Sequence, residues 1–151
     1  MFVVPKYPTS IRLAVTPELG QLAKHLRMVG LDTVCEADIN DGRVWVTSQP
    51  EFPHPRHLLR SQGYGAQLRE LLHLLGLREQ VSAGKGFFSL CLQCNHALLP
   101  VKGHQILERI GKDMLLSNDD FFFCSRCERV FPKGSYYQQM QKWLSDTLNA
   151  Q

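Results

Sequence analysis

Four of the five cysteines stand in two pairs, Cys91-Leu92-Gln93-Cys94 and Cys124-Ser125-Arg126-Cys127, and Cys35 stands alone. Two cysteines separated by two residues can turn through a tight knuckle and present both sulfurs to one ion. Two such knuckles complete a tetrahedral zinc site, and four thiolates leave no open position for water, so the expected ion is structural. An odd cysteine count is poor arithmetic for a disulfide scaffold. The competing reading is two separate redox pairs. Residues 95–123 outrun the ~15–20 common between zinc knuckles, so an inserted loop or helix must lie there. His96 and His104 are the other available ligands, although four cysteines suffice. Cys35 lies in an apolar run and reads as an inert core cysteine.

The knuckles need elements to carry them. Phe87-Phe88-Ser89-Leu90 leads into the first pair and Phe121-Phe122-Phe123 into the second, the strand–knuckle–strand pattern of a zinc ribbon. Ahead of them, short apolar runs at 11–15, 33–35, 43–47 and, more weakly, 57–59 read as strands. After the first, Thr16-Pro17-Glu18 supplies a capping hydroxyl, a proline for the first helical position and an acid for the positive helix end. Leu19, Leu22, Ala23, Leu26 and Val29 then follow at helical spacing as far as Gly30. A second helix is expected over 67–77, with Leu68, Leu71, Leu72 and Leu75 on one face. Strands alternating with helices imply an α/β fold with a parallel sheet and flanking helices. A helical turn is expected at 105–110 and an amphipathic helix over 136–148. The pattern changes at Ser82-Ala83-Gly84-Lys85-Gly86, which divides the chain into parts 1–83 and 84–151.

The 151 residues are 44% hydrophobic and 21% charged, globular proportions that exclude a disordered or fibrous chain. Seventeen Lys and Arg against fourteen Asp and Glu leave a net charge of +3, too mild to argue nucleic-acid binding from bulk charge. No apolar run approaches the roughly 20 residues of a membrane span. The opening MFVVPKYPTS has prolines where a signal peptide carries its apolar stretch, so an intracellular location, cytoplasmic or nuclear, is expected.

Several segments together resemble one family. Val15-Thr16-Pro17-Glu18-Leu19-Gly20 and the helix to Gly30 resemble the opening strand and helix of the Mut-seven C-terminal domain family. Gln67-Leu68-Arg69-Glu70-Leu71-Leu72 is similar to its middle helix, and Cys91-Leu92-Gln93-Cys94-Asn95 to its first knuckle. The run from Cys124 to Met140 resembles the second knuckle with its Gly134-Ser135 tail. The resemblance covers residues 11–145 and implies a PIN-like RNase fold, a four-cysteine zinc ribbon and a C-terminal helix. Family members occur as short prokaryotic proteins. Others follow a DEDD-type exonuclease domain in animal Mut-seven/Nibbler-type 3′–5′ exoribonucleases of small-RNA pathways. The animal version fits better, implying an accessory domain linked to an exoribonuclease domain.

PIN-type nucleases gather carboxylates at the strand ends to hold Mg²⁺ or Mn²⁺, which activates water and stabilises the displaced oxygen. In the family pattern the first strand ends in Asp, where this chain has Thr16. The later strand runs into Thr-Arg-Asp, where this chain has Thr47-Ser48-Gln49. A hydroxyl and an amide carry no negative charge for a hard cation. Glu18, Glu36, Asp38, Asp41 and Glu51 remain nearby as the residues of an alternative, metal-dependent site. The expectation is a nuclease scaffold without its chemistry.

RNA contact or protein contact then remains. Arg126, Arg129 and Lys133 lie in and after the second knuckle, followed by Tyr136 and Tyr137. Cations meeting phosphate, interleaved with aromatics that stack bases, bind single strands with little sequence preference. Lys24 and Arg27 on the first helix, with Arg56 and Arg60 in the later loop, extend the candidate track. Phe52, among the prolines of 49–55, either docks a partner protein or pins the loop to its own domain.

Overall fold

The computed structural model describes residues 11–150 apart from 113 and 115–117. The segment read for a signal peptide lies outside the described residues. Strands β1 (Leu13–Val15), β2 (Thr33–Cys35), β3 (Val44–Thr47) and β4 (His57–Leu58) form a parallel sheet in the order β2-β1-β3-β4. Leu13 faces Thr33 on one side and Val44 on the other. Every residue of β1 is fully buried, as a continuous apolar run in a central parallel strand must be.

Helix α1 (Gly20–Met28) returns the chain from β1 to β2 after a 3-10 turn at Pro17–Leu19. The expected hydroxyl cap does not form. Thr16 makes no side-chain bond to the helix amides; its hydroxyl is turned instead to Glu18 and Thr47. The link from β2 to β3 passes β1 without a helix, and Gly42 takes its turn at φ 74°. Cys35 is exposed, against the expectation of a core position. It ends β2, an edge strand, so no neighbouring strand covers it on that side.

Helix α2 (Tyr64–Leu75) begins earlier than its leucine stripe. Gly76 closes it at φ 68°, with the Gly76 and Leu77 N–H groups both returning to the Leu72 carbonyl. The short α3 (Arg78–Ser82) follows at once, too brief and too poor in apolar residues to register as a periodic pattern.

The second sheet is antiparallel, in the order β5 (Leu98–Lys102), β6 (Asp120–Cys124), β7 (Val130–Pro132). Residues 87–90, a strand by their pattern, form turns instead and contribute one bridge, Leu90 to Ala97. The strand leaves the first knuckle rather than entering it, and Pro100 disguises it, since proline inside a run argues against a strand. The expected turn in the insertion appears as a 3-10 segment, Gly103–Arg109.

Helix α4 (Ser135–Asn149) closes the chain against α2 and α3. Its Leu144 and Leu148 are buried in one core with Leu22, Leu26, Leu68 and Leu71, and each stabilises by roughly 2 kcal/mol. The same core reaches Phe88 at the start of the ribbon. Around the cysteines the ribbon's buried cluster is only Leu98 with Cys91 and Cys124, while Phe121 and Ile106 are also buried, a small core that a crosslink would reinforce.

Candidate metal centre and nucleic-acid interface

The two knuckles repeat one backbone solution. In the first, the Cys91 N–H donates to the His96 carbonyl and the Asn95 N–H to the Cys91 carbonyl. In the second, the Cys124 N–H donates to Arg129 and the Glu128 N–H to Cys124. Asn95 (φ 67°) and Glu128 (φ 62°), each directly after the second cysteine, take the left-handed conformation that closes the turn. Cys91 and Cys127 sulfurs lie 3.6 Å apart, Cys94 and Cys124 sulfurs 3.3 Å, and all four sulfurs lie within 4.8 Å of one another. Sulfurs about 2.3 Å from a tetrahedral ion stand about 3.8 Å apart, so shifts of less than about an ångström would seat such an ion. His96 and His104 do not join it. Four soft thiolates suit a metal such as zinc.

The sulfurs differ in acidity. Burial pushes the Cys91 thiol up to about 12, and it raises Cys124 as well. At Cys127 burial also acts upward, but the Arg129 N–H and guanidinium and the Cys124 and Cys91 sulfurs outweigh it and bring the thiol down to about 6.

The first knuckle is fastened to the parallel sheet. Asn95 Oδ1 accepts the buried Thr33 N–H at 3.0 Å, and its Nδ2 donates to Asp32 at 2.6 Å. Arg43 holds the same Asp32 carboxylate at 2.8 Å. Arg27 donates through Nε to the Thr33 carbonyl and through Nη1 to the Leu92 carbonyl inside the knuckle, at 2.8 and 2.7 Å. It is 9% exposed. Burial and these two bonds to backbone carbonyls point to a fastening role for Arg27 rather than an RNA contact. Sequence reasoning missed the fastening role of Asn95. Its only signal is an Asn, tolerant of the left-handed region, directly after a knuckle cysteine.

At the ends of β1 and β3, where the acidic positions of the family pattern fall, neutral groups surround one carboxylate. The Thr16 and Thr47 hydroxyls are bonded at 2.8 Å. Glu18 accepts from Thr16 (2.7 Å), from the Ser48 hydroxyl (3.1 Å) and from the Gln49 amide (2.9 Å). Asp38 accepts the Asn40 N–H in a turn. Among the described residues, the four cysteines are the one group of three or more His, Cys, Asp or Glu side chains close enough to share an ion. Glu18, Glu36, Asp38, Asp41 and Glu51 do not converge.

The cations of the second knuckle are exposed, although the Arg129 guanidinium also bonds the Cys127 sulfur. Arg126, Arg129, Lys133 and Tyr136 are exposed, Tyr136 by 61%. Lys133 lies over the rings of Phe122 (4.9 Å) and Tyr137 (5.6 Å). The acid within this knuckle, Glu128, pairs with Arg109 at 3.0 Å, which adds a cation that the sequence did not single out. Lys24 is half-buried on α1. Arg56, which donates to the Pro50 carbonyl, and Arg60 flank β4, at the edge of the sheet opposite β2. The knuckle fastens instead at the start of β2, so the cations fall into two separate groups. Phe52 packs on Trp45 with ring centres 5.2 Å apart, pinning the proline-rich loop to the sheet.

A parallel α/β layer joined to a ribbon whose four cysteines could hold a metal ion defines the class. The model of the Mut7-C RNAse domain family matches residues 11–144, and the chain belongs to that family. No curated protein and no solved structure matches it significantly. Among the described residues no helix is long and apolar enough to cross a membrane.

Proposed function

We propose that this domain binds single-stranded RNA as a non-catalytic accessory part of a 3′–5′ exoribonuclease acting in small-RNA processing, with a structural Zn²⁺ holding its ribbon. The observation that carries the reading is the exposed set of Arg126, Arg129, Lys133 and Tyr136 beside the second knuckle. Cations there meet phosphates, and an exposed tyrosine offers a face to a base. Neutral Thr16, Thr47 and Gln49 at the strand ends, with Glu18 already bonded by its neighbours, speak against Mg²⁺ or Mn²⁺ chemistry there. The four-thiolate site requires a reducing compartment, which favours an intracellular location. A linked exoribonuclease domain would supply the catalysis.

The test is incubation of the purified chain with end-labelled single-stranded RNA and Mn²⁺. Retarded but uncut RNA is expected. EDTA-sensitive cleavage that Asp38→Asn abolishes would instead establish a metal-dependent ribonuclease. Absence of any RNA retention, with a stable protein partner recovered through residues 49–55, would replace the RNA reading with a docking module.

A further inference from the structure

A cavity of about 550 Å³ opens outside the carboxyl ends of β3 and β4, the side of a parallel sheet where ligands characteristically bind. It is apart from the metal centre and from the knuckle cations. Its floor includes Leu58, and its walls are Ser48, Arg60, Ser61, Gln62 and Gln67. Arg60 is the charged residue among its lining, and no carboxylate lines it. The acid that approaches, Glu70, is occupied. Its carboxylate accepts the backbone N–H groups of Arg60 (3.0 and 3.1 Å) and Ser61 (2.9 Å) and so fixes the loop that forms the wall. The site thus offers the Arg60 guanidinium, which has Glu70 nearby, and the Gln62 amide over an apolar floor, on a loop already held in place. Gln67 gives one amide N–H to the Ser61 carbonyl and keeps its oxygen, while the Ser48 and Ser61 hydroxyls are bonded to Glu18 and Glu70. Few polar groups on a preformed surface of this size are the usual make-up of a small-ligand site.

We propose that this cavity takes one nucleotide of single-stranded RNA, its phosphate on the Arg60 guanidinium and its base edge on the Gln62 and Gln67 amides. A guanidinium grips phosphate oxygens in pairs, and a side-chain amide offers a donor and an acceptor together, which is what a base edge presents. The inference rests on the RNA-binding reading and adds a second grip beyond the knuckle. Two grips on one strand make the second contact intramolecular, so RNA long enough to span both binds more tightly than a fragment filling either.

The test uses the full zinc-loaded chain, isotopically labelled and titrated with uridine 5′-monophosphate, adenosine 5′-monophosphate, uridine and inorganic phosphate. The monophosphates are expected to shift the amide resonances of Arg60, Ser61 and Gln62, saturating at lower concentration than uridine or phosphate. Arg60→Gln, an exposed substitution, should weaken nucleotide binding by about tenfold or more, the usual loss when one charge-assisted contact goes. Phosphate alone binding as well as the nucleotides, or Arg60→Gln binding them unchanged, overturns the assignment. Undisturbed residues 60–62 while the chain still retains RNA would sink the cavity and spare the RNA reading. Shifts at 60–62 in a chain that retains no RNA would do the reverse.

Discussion

Arg27 offers a sharp separation between a cation that binds RNA and one that builds the fold. Two of its N–H groups satisfy the Thr33 and Leu92 carbonyls, one at the start of β2 and one inside the first knuckle. Replacing it with methionine keeps the volume of the stem and deletes both bonds. A hydrogen bond from a charged group contributes about 1.5–3 kcal/mol, and the two carbonyls left behind lose their donors. The Leu92 contact is only partly buried, so the lower end of the range applies there, and a total of about 3 kcal/mol is expected. That is roughly two decades in the folding equilibrium, since each 1.4 kcal/mol is tenfold. The denaturation midpoint of zinc-loaded Arg27→Met should fall accordingly. Its affinity for RNA, measured where both proteins are folded, should stay within about twofold. An unchanged midpoint with a large loss of RNA affinity would refute the reasoning and return Arg27 to the binding surface.

Other expectations follow from particular contacts. Asn95→Ala and Asn95→Gly remove the same bonds to Thr33 and Asp32, but only alanine is strained at φ 67°. Alanine should therefore unfold more easily by about 1 kcal/mol in paired denaturant melts. His25 is buried against Trp143 and its pKa is lowered by that burial. The unfolded chain then binds the proton more readily, so stability is complete above about pH 6.5 and declines as pH falls below it. His25→Phe should flatten that decline in melts between pH 7.5 and 5.5. Installing Thr16→Asp and Gln49→Asp beside Glu18 gathers three carboxylates at the ends of β1 and β3. Calorimetry should detect Mn²⁺ binding to this variant and none to the parent.

Much of this architecture was legible because its signals are local. The cluster of four cysteines follows from the spacing of two pairs, and the strands and helices of the parallel layer follow from apolar periodicity and the glycine at 76. The rest depends on contacts between distant segments. Cys35 looks like core from its neighbours, yet only the sheet order reveals that β2 has an open side. Arg27 lies among helix residues that look like a basic surface, and its burial appears only when the knuckle arrives 65 positions later to take its hydrogen bond. The Thr16 hydroxyl would cap the helix if Thr47 and Glu18 were not within its reach. Position 100 misleads in the other direction, since the ribbon tolerates proline in β5 as an outer strand.

If a few cations on the second knuckle hold RNA, fluorescence anisotropy of a labelled single strand against salt will show it. Three phosphate contacts give a slope near −2 in log affinity against log salt, about a twentyfold loss between 50 and 200 mM. With zinc still bound, Arg126→Ala, Arg129→Ala and Lys133→Ala together should lower the affinity and flatten that slope by about two. Equal affinity and an equal slope in the triple variant, with zinc still bound, would contradict it.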